Sequence, residues 1–188
     1  MGKQAVLVID MVKDFTDPAG KVSHKGAADI VPAIESLVQQ ARVRGAIIIW
    51  VIDRHRPDKP DWELDNVRPH CIDQTPGVEL APPLEPAAED YVIYKRRYSA
   101  FVGTDLDLIL RDNHVDTLFL TGTKTNVCIR ATAQDAFESN YHVIVPHECV
   151  STDKLHLHEA NLEDISKYMG RVVSLEEAVA LLGDDKDA

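Results

Sequence analysis

Short, solidly apolar runs recur along the chain at 5–9, 46–52, 91–94, 117–121, 142–145 and 171–173. They are rich in Val and Ile and do not alternate polar with apolar. Strands read this way when both faces are covered, as in a parallel sheet. Amphipathic stretches lie between them. In 27–44, Ile30, Ile34, Leu37, Val38 and Ala41 share one helical face, and Gly45 is the stop. The stretch 104–113 opens on Thr104 with Asp107 three residues on, a start signal resembling a capping box, and Leu106, Ile109 and Leu110 form its stripe. Helices are also predicted over 126–139, 156–168 and 174–182, the last capped by Ser174 ahead of Glu176 and Glu177. The order predicts an α/β fold in three layers, α-β-α, around a six-stranded, mostly parallel, doubly wound (Rossmann-like) sheet.

The alternation breaks once, over residues 53–90, which hold seven of the ten prolines. An irregular segment of that length in a compact domain is usually functional. The chain is therefore read as a single domain, 1–188, with a lid or substrate segment at about 53–90.

Acidic residues outnumber basic ones 31 to 20, a net charge of −11. Nucleic acid and anionic membranes both require a basic face, so neither is the expected partner. The longest apolar runs are too short to span a bilayer, and the first ten residues lack the layout of a signal peptide. Three cysteines, Cys71, Cys128 and Cys149, make no disulfide framework, and the expected location is a reducing cytoplasm. Cys71 and Cys149 are read as buried and structural. His156 and His158 are read as exposed and inert.

In open α/β sheets, ligands bind beyond the carboxyl ends of the strands. The first predicted strand runs into Asp10, the second into Asp53 with His55 beyond it, and the third into Lys95. The fourth leads into GTKTN and then Cys128. Cys128 falls in the first turn of its helix, with Thr125 or Asn126 as cap. A helix N-terminus and a nearby lysine favour the thiolate, and a carboxylate can take the thiol proton. These placements suit nucleophilic catalysis by Cys128 with Asp10 and Lys95. The bland counterpart is a turn-capping Asp10, a solvated Lys95 and a packed Cys128.

The segments VLVIDMVKDF (6–15), IDRH (52–55), RPHCIDQTPG (68–77), YKRRYSAF (94–101) and LTGTKTNVCIRATAQDA (120–136) carry a family resemblance. Over nearly its whole length the chain resembles the isochorismatase-like cysteine hydrolases, which include nicotinamidases and N-carbamoylsarcosine amidohydrolases. The resemblance implies the isochorismatase-like hydrolase fold, a Cys-Asp-Lys triad on Cys128, Asp10 and Lys95, and a homo-oligomer (dimer or tetramer). It also implies an oxyanion hole built from the backbone N–H groups of Lys124 and Cys128, with a cis peptide between Thr123 and Lys124. Relatives usually carry a small residue at the position of Lys124. The implied activity is hydrolysis of a C–N bond in a small amide or ureido (carbamoyl) substrate through a thioester. A metal-dependent nicotinamidase is the alternative. A catalytically idle relative kept as a binding subunit is a third reading, from a different class.

The thiol chemistry itself requires no cofactor. Nicotinamidases hold a divalent metal (Zn, Mn or Fe), and Asp53, His55 and His70 match three of its four ligand positions. In DKPDW the fourth is filled by Asp61 or Asp58 in place of His. The metal-free counterpart is that Asp53 and His55 hydrogen-bond each other and order the loop. Phe15, Trp62, Arg68, Arg97, Tyr98 and Asn126 are the candidate substrate-binding residues. Arg68 and Arg97 suit a carboxylate, and Phe15, Trp62 and Tyr98 suit a small or flat group.

Overall fold

The computed structural model describes residues 2–183; Met1 and the last five residues of the predicted domain lie outside it. The elements are β1 (Lys3–Ile9), α1 (Lys13–Thr16), α2 (Lys25–Asp29), α3 (Val31–Val43), β2 (Ile47–Asp53), β3 (Tyr91–Lys95), α4 (Leu106–Asp112), β4 (Val115–Thr123), α5 (Arg130–Glu138), β5 (His142–Pro146), β6 (Val150–Ser151), α6 (Leu155–Tyr168), β7 (Arg171–Val173) and α7 (Leu175–Leu181). The main sheet is parallel, in the order β3-β2-β1-β4-β5-β7.

The solid apolar runs have a direct cause. Along β1, Ala5, Leu7 and Ile9 pack with Leu106 and Leu110 of α4, Ala133 and Ala136 of α5, and Ile165 of α6. Val6 and Val8 face the other way, against Ile34, Leu37, Val38 and Ala41 of α3 and Ala178 of α7. Helices cover both faces, so alternation has no place in the strands. The three-layer, doubly wound expectation is borne out.

Several details differ from the sequence expectation. A seventh strand, the two-residue β6, pairs with β4 at Gly122 and Thr123. It is too short to carry a hydrophobic pattern. Residues 27–44 are not one helix: α2 stops at Asp29, and α3 restarts with Pro32 in its first turn, where a missing N–H is tolerated. No capping box forms on α4. Thr104 Oγ1 accepts from Leu106 N–H at 3.2 Å, while Asp107 binds Arg111 at 2.8 Å and Tyr141 at 2.7 Å. Before α5 the chain makes one wide π-type turn, Thr125–Ile129.

The strand order reverses direction between β1 and β4, so the switch-point crevice opens at the carboxyl ends of those two strands. β1 and β4 approach tightly there. A Cβ on Gly122 would lie 1.9 Å from the Ile9 carbonyl oxygen, and Gly122 has φ +111°. Only glycine fits both demands.

Candidate active site

The ends of β1 and β3 and the turn after β4 each contribute one reactive group. Asp10 follows β1 with φ 57°, a left-handed conformation that Asp tolerates better than most residues. Its N–H donates to Val51 at 2.8 Å, and its Oδ1 accepts the Asp53 N–H at 2.8 Å. That clamp fixes the carboxylate across β1 and β2. Lys95 ends β3 in register with Asp53. It is 1% exposed. Lys95 Nζ lies 2.8 Å from Asp10 Oδ2, 3.9 Å from Asp53 Oδ1 and 3.4 Å from Cys128 Sγ. Cys128 sits in the π-type turn after β4, 5% exposed. The structure thus brings Asp10, Lys95 and Cys128 into one buried cluster.

Burial works against the Lys95 ammonium, but Asp10, Asp53 and Cys128 outweigh it and hold its pKa well above the usual lysine value. Burial raises Asp10, and Asp53 adds to that, while Lys95 pulls it down. Burial also pushes Cys128 well above the ordinary thiol value; Lys95 opposes this, and Asp10 and Asp53 reinforce it. Burial and the two carboxylates thus oppose the pull of Lys95 toward thiolate. Asp10 Oδ2 is buried and faces Lys95 Nζ at 2.8 Å, and burial makes this carboxylate a better proton acceptor than a solvated one.

Beside the trio, Asp53, His55, Glu63 and His70 converge, all buried, with one ligand atom from each within 4.8 Å of the others. His70 Nε2 is 3.1 Å from Asp53 Oδ2, and His55 Nε2 is 3.2 Å from Asp53 Oδ1. Asp53 Oδ1 and His55 Nε2 are nonetheless buried without an aligned hydrogen bond, and such atoms suit a cation. Burial would raise Asp53, but Lys95, His55 and His70 hold it far below the carboxylate range. Burial would lower His55, but Asp53 and Asp61 drive it up to about 9. Without an ion, Asp53 and His55 are therefore a charged pair.

The fourth position differs from expectation. Glu63 completes the cluster, and neither Asp61 nor Asp58 is part of it. Asp61 instead supports His55, with Oδ2 2.9 Å from Nδ1. The tight turn 61–64 folds Glu63 inward, where the sequence shows only one more acidic residue in a polar stretch.

The other candidates are spread more widely. Phe15 is buried, edge-on to His70 at 5.8 Å. Tyr98 is 42% exposed, and burial, Glu63 and Cys128 push its pKa up. Trp62 is 74% exposed. Arg68 is exposed, and its carbonyl accepts from His70 Nδ1 at 2.9 Å. Arg97 donates to Asp61 at 2.9 Å. Asn126 Oδ1 accepts from Thr152 at 2.6 Å. The Thr123–Lys124 peptide is cis, and Lys124 Nζ lies 4.0 Å from Asp153. Cys71 and Cys149 are fully buried. His158 is not inert: its Nδ1 is 2.9 Å from Thr125 Oγ1.

A family model described as Isochorismatase domain matches residues 4–177. The chain belongs to the isochorismatase family. It is 35% identical over 183 residues to a probable inactive nicotinamidase of Arabidopsis thaliana, covering 92% of this chain and 93% of that protein. It is 32% identical over 185 residues to the maleamate amidohydrolase of Pseudomonas putida, covering 96% of this chain and 87% of that protein. Among solved structures, the nicotinamidase/pyrazinamidase of Bacillus subtilis superposes with a TM-score of 0.88 at 30% identity, covering 92% of this chain and all of that one (100%). Isochorismatase-family members thus share both the sequence pattern and the architecture seen here. Among the described residues, no helix is long and apolar enough to cross a membrane.

Proposed function

We propose that this protein hydrolyses the C–N bond of a small amide or ureido compound through a thioester on Cys128. The observation that carries the reading is the buried cluster in which Lys95 Nζ contacts both Asp10 Oδ2 at 2.8 Å and Cys128 Sγ at 3.4 Å. Asp10 takes the thiol proton as Sγ adds to the substrate carbonyl. The Lys124 and Cys128 N–H groups receive the oxyanion. The tetrahedral adduct collapses, the C–N pair leaves with the proton from Asp10, and ammonia or an amine departs. Water then adds to the thioester, gives a proton to Asp10 and releases the acid and the thiol. Throughout, Lys95 keeps the Asp10 carboxylate and the developing thiolate in contact.

Asp53, His55, Glu63 and His70 would hold a divalent ion, with Asp61 steadying His55. Such an ion supplies a Lewis-acid anchor for a substrate heteroatom. This cluster favours the second reading, a metal-dependent nicotinamidase. The assembled trio weighs against the third, an idle binding subunit. The substrate is a small molecule in either enzymatic reading, and the free cysteines fit a cytoplasmic setting. Exposed Tyr91, Val92 and Tyr94 on edge strand β3 support a homo-oligomer.

The test is ammonia release from nicotinamide, linear amides and carbamoyl amino acids by wild type and Cys128→Ser, with mass spectrometry of the acyl-enzyme. Release by wild type alone, with an adduct on Cys128, supports the thioester reading. Release that survives Cys128→Ser overturns it. Release from nicotinamide only, abolished by a chelator, selects the second reading.

A further inference from the structure

The segment that carries the nucleophile is tied from outside the site by two histidines. His24, just before α2, brings Nε2 to 2.8 Å from Thr123 Oγ1. His158, on α6, brings Nδ1 to 2.9 Å from Thr125 Oγ1. The two threonines flank Lys124, and both are fully buried. The turn that begins at Thr125 has no side-chain cap of its own. Thr152 holds it at Asn126 Oδ1, 2.6 Å away, and Ile129 packs in the core; Thr123 and Thr125 are the contacts on either side of Lys124.

The hydrogen-bond roles follow from the neighbours. Thr123 Oγ1 donates to the Ser151 carbonyl at 3.3 Å, so it accepts from His24 Nε2–H. His24 Nδ1 is then a bare lone pair, and it is buried without a partner, as is Ser151 Oγ. Burial and Lys124 lower His24 against the pull of Asp153; burial and His147 lower His158 against Glu159.

An oxyanion hole works only if its donors are in place before the charge develops, and a shift of about 1 Å costs roughly 10²-fold in rate. We propose that His24 and His158 are positioning residues: through Thr123 and Thr125 they hold the Lys124–Cys128 segment in the geometry that receives the oxyanion. The proposal rests on the thioester reading of Cys128.

Two reagents separate this role from the reactivity of the thiol itself. With p-nitrophenyl acetate, Sγ adds to the carbonyl carbon, the thiol proton passes to Asp10, and p-nitrophenolate leaves with the C–O pair, so an oxyanion forms on the way to the acetyl thioester. With iodoacetamide, Sγ displaces iodide from a saturated carbon and no oxyanion forms. The ratio of the two rates at Cys128 reports the hole. A glutamine amide reaches the place of a histidine Nε2, and an asparagine amide the place of Nδ1. His24→Gln and His158→Asn should keep the wild-type ratio within about twofold. His24→Asn and His158→Gln should lower it about tenfold or more, approaching the 10²–10³ lost when a hole donor is removed. Thr125→Val, which keeps the shape and drops the hydroxyl, should lower it as well and covers the case of a histidine variant that fails to fold. An unchanged ratio in the crossed variants and in Thr125→Val overturns the positioning role. Wild type unmodified at Cys128 by both reagents overturns the thioester reading, and the proposal falls with it.

Discussion

Asp10 Oδ1 accepts the Asp53 backbone N–H at 2.8 Å, and this turns the buried Oδ2 toward Lys95 Nζ, 2.8 Å away. The backbone of one strand end thereby decides which oxygen of its neighbour acts as base. Asp10→Asn keeps the shape but removes the proton acceptor. It should lower kcat by about 10²–10⁴-fold. It also strands the buried Lys95 ammonium, and breaking a buried pair costs about 3–5 kcal/mol. Steady-state kinetics on the substrate found by ammonia release and a urea melt check the two parts.

Metal content separates Glu63 from Asp61. Glu63 is in the four-residue cluster, whereas Asp61 reaches the cluster only through His55 Nδ1 at 2.9 Å. Glu63→Gln should abolish stoichiometric divalent-ion binding, and Asp61→Asn should weaken it about 10–100-fold. Elemental analysis after equilibrium dialysis against Zn or Mn reads both. Equal loss in the two variants would contradict the assignment.

Tyr141 gives stability a dependence on alkaline pH. Its hydroxyl donates to Asp107 at 2.7 Å, and burial with that bond raises its pKa to about 12 from the ordinary 10. The native state therefore holds the proton longer than the unfolded chain. The contribution is complete below pH 10 and is lost as pH rises toward 12. Because the Asp107 side chain is 46% exposed, the bond is partly solvent-screened and amounts to about 1 kcal/mol or less. Urea midpoints of wild type should fall more steeply between pH 10 and 12 than those of Tyr141→Phe.

Gly122→Ala should be severe. The new Cβ meets the Ile9 carbonyl oxygen at 1.9 Å in a backbone with φ +111°. A loss of more than about 3 kcal/mol is expected, by calorimetry or denaturant melt. Gly45→Ala is the contrast: φ is +75° and nothing lies within 4 Å, so only the conformational strain of about 1 kcal/mol remains.

At the other extreme, the helix signal at Ser174 was local and complete. Its Oγ accepts Glu177 N–H at 3.2 Å and Glu177 returns a bond to Ser174 N–H at 2.7 Å. Thr104 shows how such a signal fails: Asp107 had stronger partners in Arg111 and in Tyr141, 34 residues away.

What the sequence determined by itself is the layered sheet and the presence of Asp10, Lys95 and Cys128 at strand ends. Strands covered on both faces must be apolar throughout, and a reactive group just past such a run stands at the sheet edge in any parallel fold. What only the tertiary structure decided depends on approaches between distant segments. Glu63 joined Asp53, His55 and His70 because the irregular segment folds back on β2. His24 found Thr123 across 99 residues, with no local pattern to announce it. The setting of the Cys128 thiol was decided there too. A lysine and a helix start, read in isolation, favour a thiolate, but burial, Asp10 and Asp53 push the thiol the other way.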